Sequence, residues 1–155
     1  MKIKLILFFP LLLFYSCSLF KETILIKNFI SEKEKFDKSD NPALKYLIIN
    51  SLSKKKISLN DLLITDIRES EEINYQYCII AEIDSEKGKI LSYIYSEEIE
   101  KISKLIKGKS RINVIGDFIG FHKEYSFFQK DAESYFSKID ISDADIQLVK
   151  NNIKK

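Results

Sequence analysis

The sequence predicts an α+β protein that is mainly β, built around a five-stranded Greek-key barrel. Three observations lead to this class: apolar and polar residues alternate in short stretches, glycine-containing turns separate some of them, and one capped helix follows the third stretch. The predicted order is β-β-β-α-β-β over about residues 57–141. We expect an N-terminal helix before this barrel and a short C-terminal helix after it.

The helix before the barrel is predicted to begin at Asn41-Pro42, where a capping side chain is followed by proline at the first helical position. An apolar stripe at helical spacing follows, formed by Leu44, Leu47, Ile48 and Leu52. Lysines at 54–56 follow the helix, and cations are favourable at a helix C-terminus. The same lysines are also compatible with a basic patch beside a membrane.

The first three strands of the barrel are predicted at 62–67, 75–84 and 89–95. The second has a period of two, because its odd positions from 75 to 83 are all apolar or tyrosine. Residues 85–88 (SEKG) form the hairpin turn that joins the second strand to the third, and Gly88 is free to adopt a positive φ there.

The helix of the barrel is predicted to run from Ser96, its cap, to Gly108, with apolar residues at helical spacing between Ile99 and Ile106. A long strand at 111–121 follows, with glycines that indicate a bulge or bend. A fifth strand is predicted at 125–129. Ser142 opens the short terminal helix.

The stretch KLIKGKSRINVIGDFIGF (104–121) resembles the part of oligonucleotide/oligosaccharide-binding (OB) domains where a helix ends and a glycine-bearing fourth strand begins. The resemblance depends on the element order and on Gly108 and Gly116, and it covers about residues 59–141. It implies an OB-like barrel. The chain departs from the pattern because its first strand has no glycine to bend it. A different α+β sandwich is the alternative.

The N-terminus begins with basic residues, continues with an apolar run of about 11 residues, and ends in Leu13-Phe14-Tyr15-Ser16-Cys17. This resembles the signal peptide of bacterial lipoproteins, with a relaxed, spirochaete-type lipobox. The resemblance implies that Cys17 takes a diacylglycerol, that residues 1–16 are removed, and that the new amine is usually acylated with a fatty acid such as palmitate. An ordinary secretory signal and an uncleaved anchor are the alternatives.

These features divide the chain into a signal peptide (1–16), a lipidated tether (17–40) and one globular domain (41–155). Removing residues 1–16, which hold two lysines and no acid, leaves 23 basic and 23 acidic residues. Nucleic-acid binders carry a basic excess, so we expect no nucleic acid as a partner. Cys78 has no partner cysteine once Cys17 is lipidated, and we expect it to be a small buried residue.

The candidate ligand-binding residues are tyrosines on the second and third strands and cations near the loops beside them: Tyr75, Tyr77, Tyr93, Tyr95, Arg68 and Lys89. OB domains usually bind their ligands with aromatic and basic groups on these strands. A platform for sugar rings or other planar ligands is one interpretation. Packing within the core and between strands is the other.

No residue combination in the chain predicts catalysis. His122 is the single histidine, expected in a surface loop, and the paired acids lie in predicted loops or first helical turns. We therefore expect no catalytic residues, no metal site and no cofactor. A hydrolase that uses carboxylates alone is a remote alternative.

The sequence thus predicts a non-enzymatic lipoprotein of the bacterial envelope that binds a partner protein or a ligand. The outer membrane is favoured over the inner one because Ser18 stands where aspartate signals inner-membrane retention in some bacteria. The alternative is a subunit of an envelope assembly machine, with residues 20–30 docking as an amphipathic segment.

Overall fold

The computed structural model describes residues 21–122 and 135–149. The elements, in chain order, are β1 (Thr23–Leu25), α1 (Ile26–Lys38), α2 (Pro42–Leu52), β2 (Lys56–Glu69), β3 (Tyr77–Ser85), β4 (Gly88–Tyr95), α3 (Ile99–Ile102), β5 (Arg111–Phe121) and β6 (Ser137–Leu148). The hairpin of β3 and β4 and the bounds of β5 agree with the predictions from the sequence.

Strands β2 to β6 form a closed barrel. β2 pairs antiparallel with β3, β3 with β4, and β4 parallel with β6. β6 then pairs antiparallel with β5, and β5 antiparallel with β2, which closes the circle. This is the strand order of a five-stranded OB-like Greek-key barrel, so the predicted fold class is confirmed. Alternate residues of every strand face inward, and isoleucine dominates the buried interior.

β2 reaches both of its neighbours because it bends without a glycine. Its register shifts between Leu59 and Leu62, and Asp61 adopts a left-handed conformation with φ 61°. Aspartate is one of the few residues that visit this region without a large penalty. The Arg111 guanidinium donates to the Asp61 carbonyl (2.9 Å) and carboxylate (3.0 Å), and the Asp61 N–H donates to Asn113 Oδ1 (2.9 Å). The bulge at Asp61 therefore bends β2 in the absence of a glycine.

The predicted C-terminal helix is wrong, because residues 137–148 form β6. Ser142 and its acidic neighbours have the composition of a helix start, yet Asp143 lies at φ 45° within a strand. The inward positions change parity there, from Ile139 and Ile141 to Ala144 and Ile146. The predicted fifth strand at 125–129 lies outside the described residues, and β6 occupies the fifth position of the barrel.

The helix between β4 and β5 is much shorter than predicted. α3 has four residues, followed by turns up to Gly108, which has φ 70°. Ser96 accepts a hydrogen bond from the Glu98 N–H (3.2 Å) but donates to the Ala144 carbonyl (2.7 Å), so it joins α3 to β6. Ile102 and Leu105 still enter the core.

The part of the predicted tether that the structure describes belongs to the domain. β1 adds a parallel strand beside the start of β2, and α1 places Phe29 in the core with no exposed surface. The Phe29 ring centre lies 5.8 Å from that of Phe118 and 6.3 Å from that of Phe121. α1 thereby covers one end of the barrel, so the described residues of the predicted tether are part of the same folded unit as the barrel.

α2 confirms the predicted start and only half of the predicted stripe. The Asn41 side chain accepts from the Ala43 and Leu44 N–H groups, with Pro42 at the first position. Ile48 and Leu52 are buried, whereas Leu44 and Leu47 are 45% and 58% exposed. Among the residues described, no helix is long and apolar enough to cross a bilayer.

Gly116 gives a test of how tightly β5 and β6 pack. A Cβ at Gly116 would lie 2.5 Å from Ile141 Cγ2 and 2.7 Å from the Ser142 carbonyl oxygen, whereas one at Gly120 would meet no atom within 4 Å. We expect Gly116→Ala to lower the free energy of unfolding by about 1–3 kcal/mol, because overpacking forces the strands apart. Gly120→Ala, the matched control, should change it by less than about 0.5 kcal/mol in the same urea titration. Equal effects would contradict the described contact.

Candidate functional site

The outer face of the β3–β4 hairpin carries a second apolar cluster, separate from the barrel interior. Pairing places Cys78 opposite Tyr95 and Ile80 opposite Tyr93, while Ile79 and its odd-numbered neighbours face inward. We call this surface the tyrosine face. Its members are Cys78, Ile80, Leu91, Tyr93 and Tyr95, with Tyr75 and Tyr135 packed against them.

Tyr93 is the centre of the tyrosine face. Its ring stacks on His122 with ring centres 3.5 Å apart, and only 4% of its surface is exposed. His122 Nδ1 lies 2.6 Å from Asp140 Oδ1, on the strand beside Tyr93. Arg68 lies 5.6 Å from the centre of the Tyr93 ring, within the range of a cation–π contact. The ring of Tyr93 is thus packed against its neighbours.

Tyr75 connects the β2–β3 loop to the bulge in β6. Its hydroxyl donates to Asp143 Oδ1 (2.8 Å), and the Asp143 N–H donates back to that hydroxyl (3.3 Å). Its ring centre lies 5.7 Å from that of Tyr95. Burial, followed by the hydrogen bond to Asp143, raises the pKa of Tyr75, and burial raises that of Tyr95 as well. Both phenols are therefore neutral hydrogen-bonding groups at physiological pH.

The structure brings four of the six predicted ligand-binding residues together: Tyr75, Tyr93, Tyr95 and Arg68. Tyr77 does not join them, because it has the parity of Ile79 and points to the other side of β3; it is 37% exposed. Lys89 lies at the far end of β4, where its ammonium is 3.1 Å from Glu82. The period-two pattern of β3 was correct, but it could not give the register against β4.

Four polar members of the site were not predicted as site residues: His122, Tyr135, Asp140 and Asp143. His122 was expected in a surface loop, yet its side chain is only 17% exposed. Burial raises the pKa of Asp140, and the hydrogen bond and charge of His122 act in the opposite direction. The only sequence signal for this pair would have been strand β6, which was predicted as a helix at its C-terminal half.

Cys78 is buried, as predicted, and burial raises the pKa of its thiol to about 11. Nucleophilic and metal-binding chemistry needs the thiolate, so this thiol behaves as a small apolar side chain. Within residues 21–122 and 135–149, no group of three or more histidine, cysteine and acidic side chains is placed to hold a metal ion.

The closed packing of Tyr93 and Tyr95 favours the interpretation that these two rings stabilise the sheet. Stacking on a ligand needs an open ring face, and the two rings are 4% and 7% exposed. The accessible rim of the tyrosine face includes the exposed Arg68 and the partly exposed Tyr75 and His122, and Tyr135 is partly exposed as well. These groups offer a planar cation, a phenol and an imidazole at one edge.

Comparisons with known proteins do not identify a family. No family model and no curated protein matches the chain. One solved structure that is weakly similar is Entamoeba histolytica asparaginyl-tRNA synthetase in complex with asparaginyl-adenylate. It has 14% identity and a TM-score of 0.38, and the match covers 59% of this chain and 20% of the synthetase. A similarity this low, over a fifth of the other protein, carries no inference about function, and the fold class depends on the strand pairing described above.

Two tyrosine substitutions separate a packing role from a surface role. We expect Tyr93→Ala to lower the free energy of unfolding by about 3 kcal/mol, because it removes a buried ring stacked on His122. Tyr77→Ala, the matched control at a half-exposed tyrosine of the paired strand, should cost less than about 1 kcal/mol. Chemical denaturation followed by circular dichroism measures both. A Tyr93 variant as stable as the Tyr77 variant would show that the tyrosine face is not packed as described.

Proposed function

We propose that this protein is a non-enzymatic lipoprotein of the bacterial envelope, anchored by Cys17, whose barrel binds a partner protein or a small ligand. The outer membrane is the favoured location. One observation carries the proposal: the apolar N-terminal run ends in Ser16-Cys17, and the first described strand begins at Thr23. A lipobox placed directly before a folded domain is the arrangement that a lipid-anchored domain requires.

The short link between Cys17 and β1 supports a barrel that lies at the membrane surface. Six residue steps separate Cys17 from Thr23, and an extended chain of that length spans at most about 20 Å. The chain is then held firmly, because Thr23 pairs with Lys56 and the Lys56 N–H donates to the Glu22 carbonyl (2.9 Å). An anchor at Cys17 would therefore restrain the barrel itself rather than a long tether.

The number of acyl chains decides whether such an anchor is stable. Each buried methylene contributes roughly 0.8 kcal/mol, and a single fatty chain gives only marginal, reversible membrane binding. A diacylglycerol thioether on Cys17, with or without an acylated amine, supplies two or three chains. Stable attachment then needs no membrane-spanning segment in the domain.

We place the partner or ligand at the rim of the tyrosine face, formed by Arg68, Tyr75 and His122. OB domains commonly bind ligands on this pair of strands, and these three groups are accessible at the edge of the face. The balance of 23 basic and 23 acidic residues after residue 16 favours a protein or small molecule over a nucleic acid.

The alternative, a subunit of an envelope assembly machine, was suggested by the amphipathic segment at residues 20–30, and the structure does not leave that segment available for docking. That interpretation needed residues 20–30 as a free amphipathic segment, but Ile24, Phe29 and Ile30 are buried in the core of the same domain. A partner protein would have to dock on another surface.

The two cysteines provide a direct test of the anchor. When the full chain is produced in a bacterium and labelled with an alkyne analogue of palmitate, we expect the wild type and Cys78→Ala to be labelled and Cys17→Ala to lose the label. Cys78→Ala is the matched control because it removes the other thiol, which is buried in the barrel. The intact mass of the wild type should correspond to residues 17–155 plus two or three acyl chains. A free thiol at Cys17, or equal labelling of Cys17→Ala, would overturn the proposal.

A further inference from the structure

We propose that the outer side of α2 rests on the lipid bilayer, with its apolar side chains at the boundary between headgroups and acyl chains. We call this surface the α2 face; it consists of Leu44, Tyr46 and Leu47. The inference rests on the proposed lipidation of Cys17, and it assigns the orientation that the barrel adopts at the membrane.

The α2 face is apolar, although no other element in the described part of the chain covers it. Leu44, Tyr46 and Leu47 are 45%, 68% and 58% exposed, while Ile48 and Leu52, the other apolar residues of the predicted stripe, are buried. Single exposed apolar residues are ordinary on protein surfaces, but Leu44 and Leu47 are three residues apart and therefore neighbours on the helix surface. Tyr46 lies beside Leu47, and such a group of exposed apolar residues indicates an interaction site. The tyrosine fits a membrane interface, because its ring is apolar and its hydroxyl remains hydrated.

The charge of this segment matches a lipid surface. Residues 41–60, which lie between Asp40 and Asp61, contain four lysines and no aspartate or glutamate. Lys54 is exposed at the C-terminal end of α2. Helices that lie in the interface combine an apolar side with lysines that meet anionic headgroups. This combination favours a bilayer over an apolar protein surface as the occupant.

The position of α2 places its apolar side within reach of the anchor. α2 ends at Leu52, and the lysine turn that follows contacts the chain leading to Cys17: Lys55 Nζ lies 3.0 Å from the Glu22 carboxylate, and the Lys56 N–H donates to the Glu22 carbonyl (2.9 Å). Leu47 is five helical residues from Leu52, about 7.5 Å along the axis. A link of at most about 20 Å therefore holds this end of α2 near the acyl chains of Cys17.

Tryptophan fluorescence can locate the α2 face directly, because the chain contains no tryptophan. We would introduce Leu47→Trp, and Leu44→Trp one turn earlier, into the full lipidated protein and reconstitute each in phosphatidylcholine–phosphatidylglycerol vesicles that contain brominated acyl chains. Ile73→Trp is the matched control: it replaces a fully exposed apolar residue in the loop at the other end of β2. The intact mass of each preparation is measured first.

We expect the emission of Leu47→Trp and Leu44→Trp to move to shorter wavelengths in vesicles and to be quenched several-fold more strongly by brominated lipid than that of Ile73→Trp. A lipidated protein whose three variants all emit as water-exposed indoles would overturn the α2 contact alone. Emission at short wavelength without quenching by brominated lipid would overturn it too, because a second copy or a partner protein would then cover the helix. A mass without acyl chains would overturn the anchor and the contact together.

Discussion

The rest of the structure depends on β2 being paired along both of its edges. Residues 56–63 pair with β5 and residues 63–69 pair with β3, so a single strand joins the two halves of the barrel. A flat strand cannot do this, and the bulge at Asp61, fixed by Arg111 and Asn113, provides the bend. The start of β2 also receives β1, and through it the chain that leads to Cys17. Barrel closure and the membrane attachment that we propose are thus linked through one strand.

Local signals predicted a large part of this fold. The hairpin turn at Gly88, the cap at Asn41 and the limits of β5 depend on residues close together in sequence, so their patterns could be identified directly. Long-range contacts decided the elements that were wrong. Ser142 and Asp143 have the composition of a helix start, but pairing with β4 and β5 makes the segment a strand. The segment that forms α1 was predicted as part of a tether because it contains many charged residues. Only the packing of Phe29 against β5 shows that α1 belongs to the domain.

For the candidate site, too, the sequence predicted the local elements but not the long-range pairing. The tyrosines could be assigned to two strands, but the register that unites Tyr93 and Tyr95 and separates Tyr77 is a property of the pairing. His122 and Asp140 come from strands that are distant in sequence, so no local pattern relates them. The same holds for the α2 face: helical spacing identified the apolar residues of α2, but only the tertiary structure shows that no described element buries Leu44 and Leu47. The two surfaces that we propose for binding therefore depend on long-range contacts, which local sequence patterns cannot predict.

Native-state hydrogen exchange tests the double pairing of β2 most directly. If β2 closes the barrel, the paired amides of residues 57–59, next to β5, and of residues 66–68, next to β3, should exchange only through global unfolding. The free energies of opening at these two groups should then be equal and should match the free energy of unfolding from denaturation. A distinctly lower value for residues 57–59 would show that β2 and β5 separate on their own, and it would contradict the closed barrel.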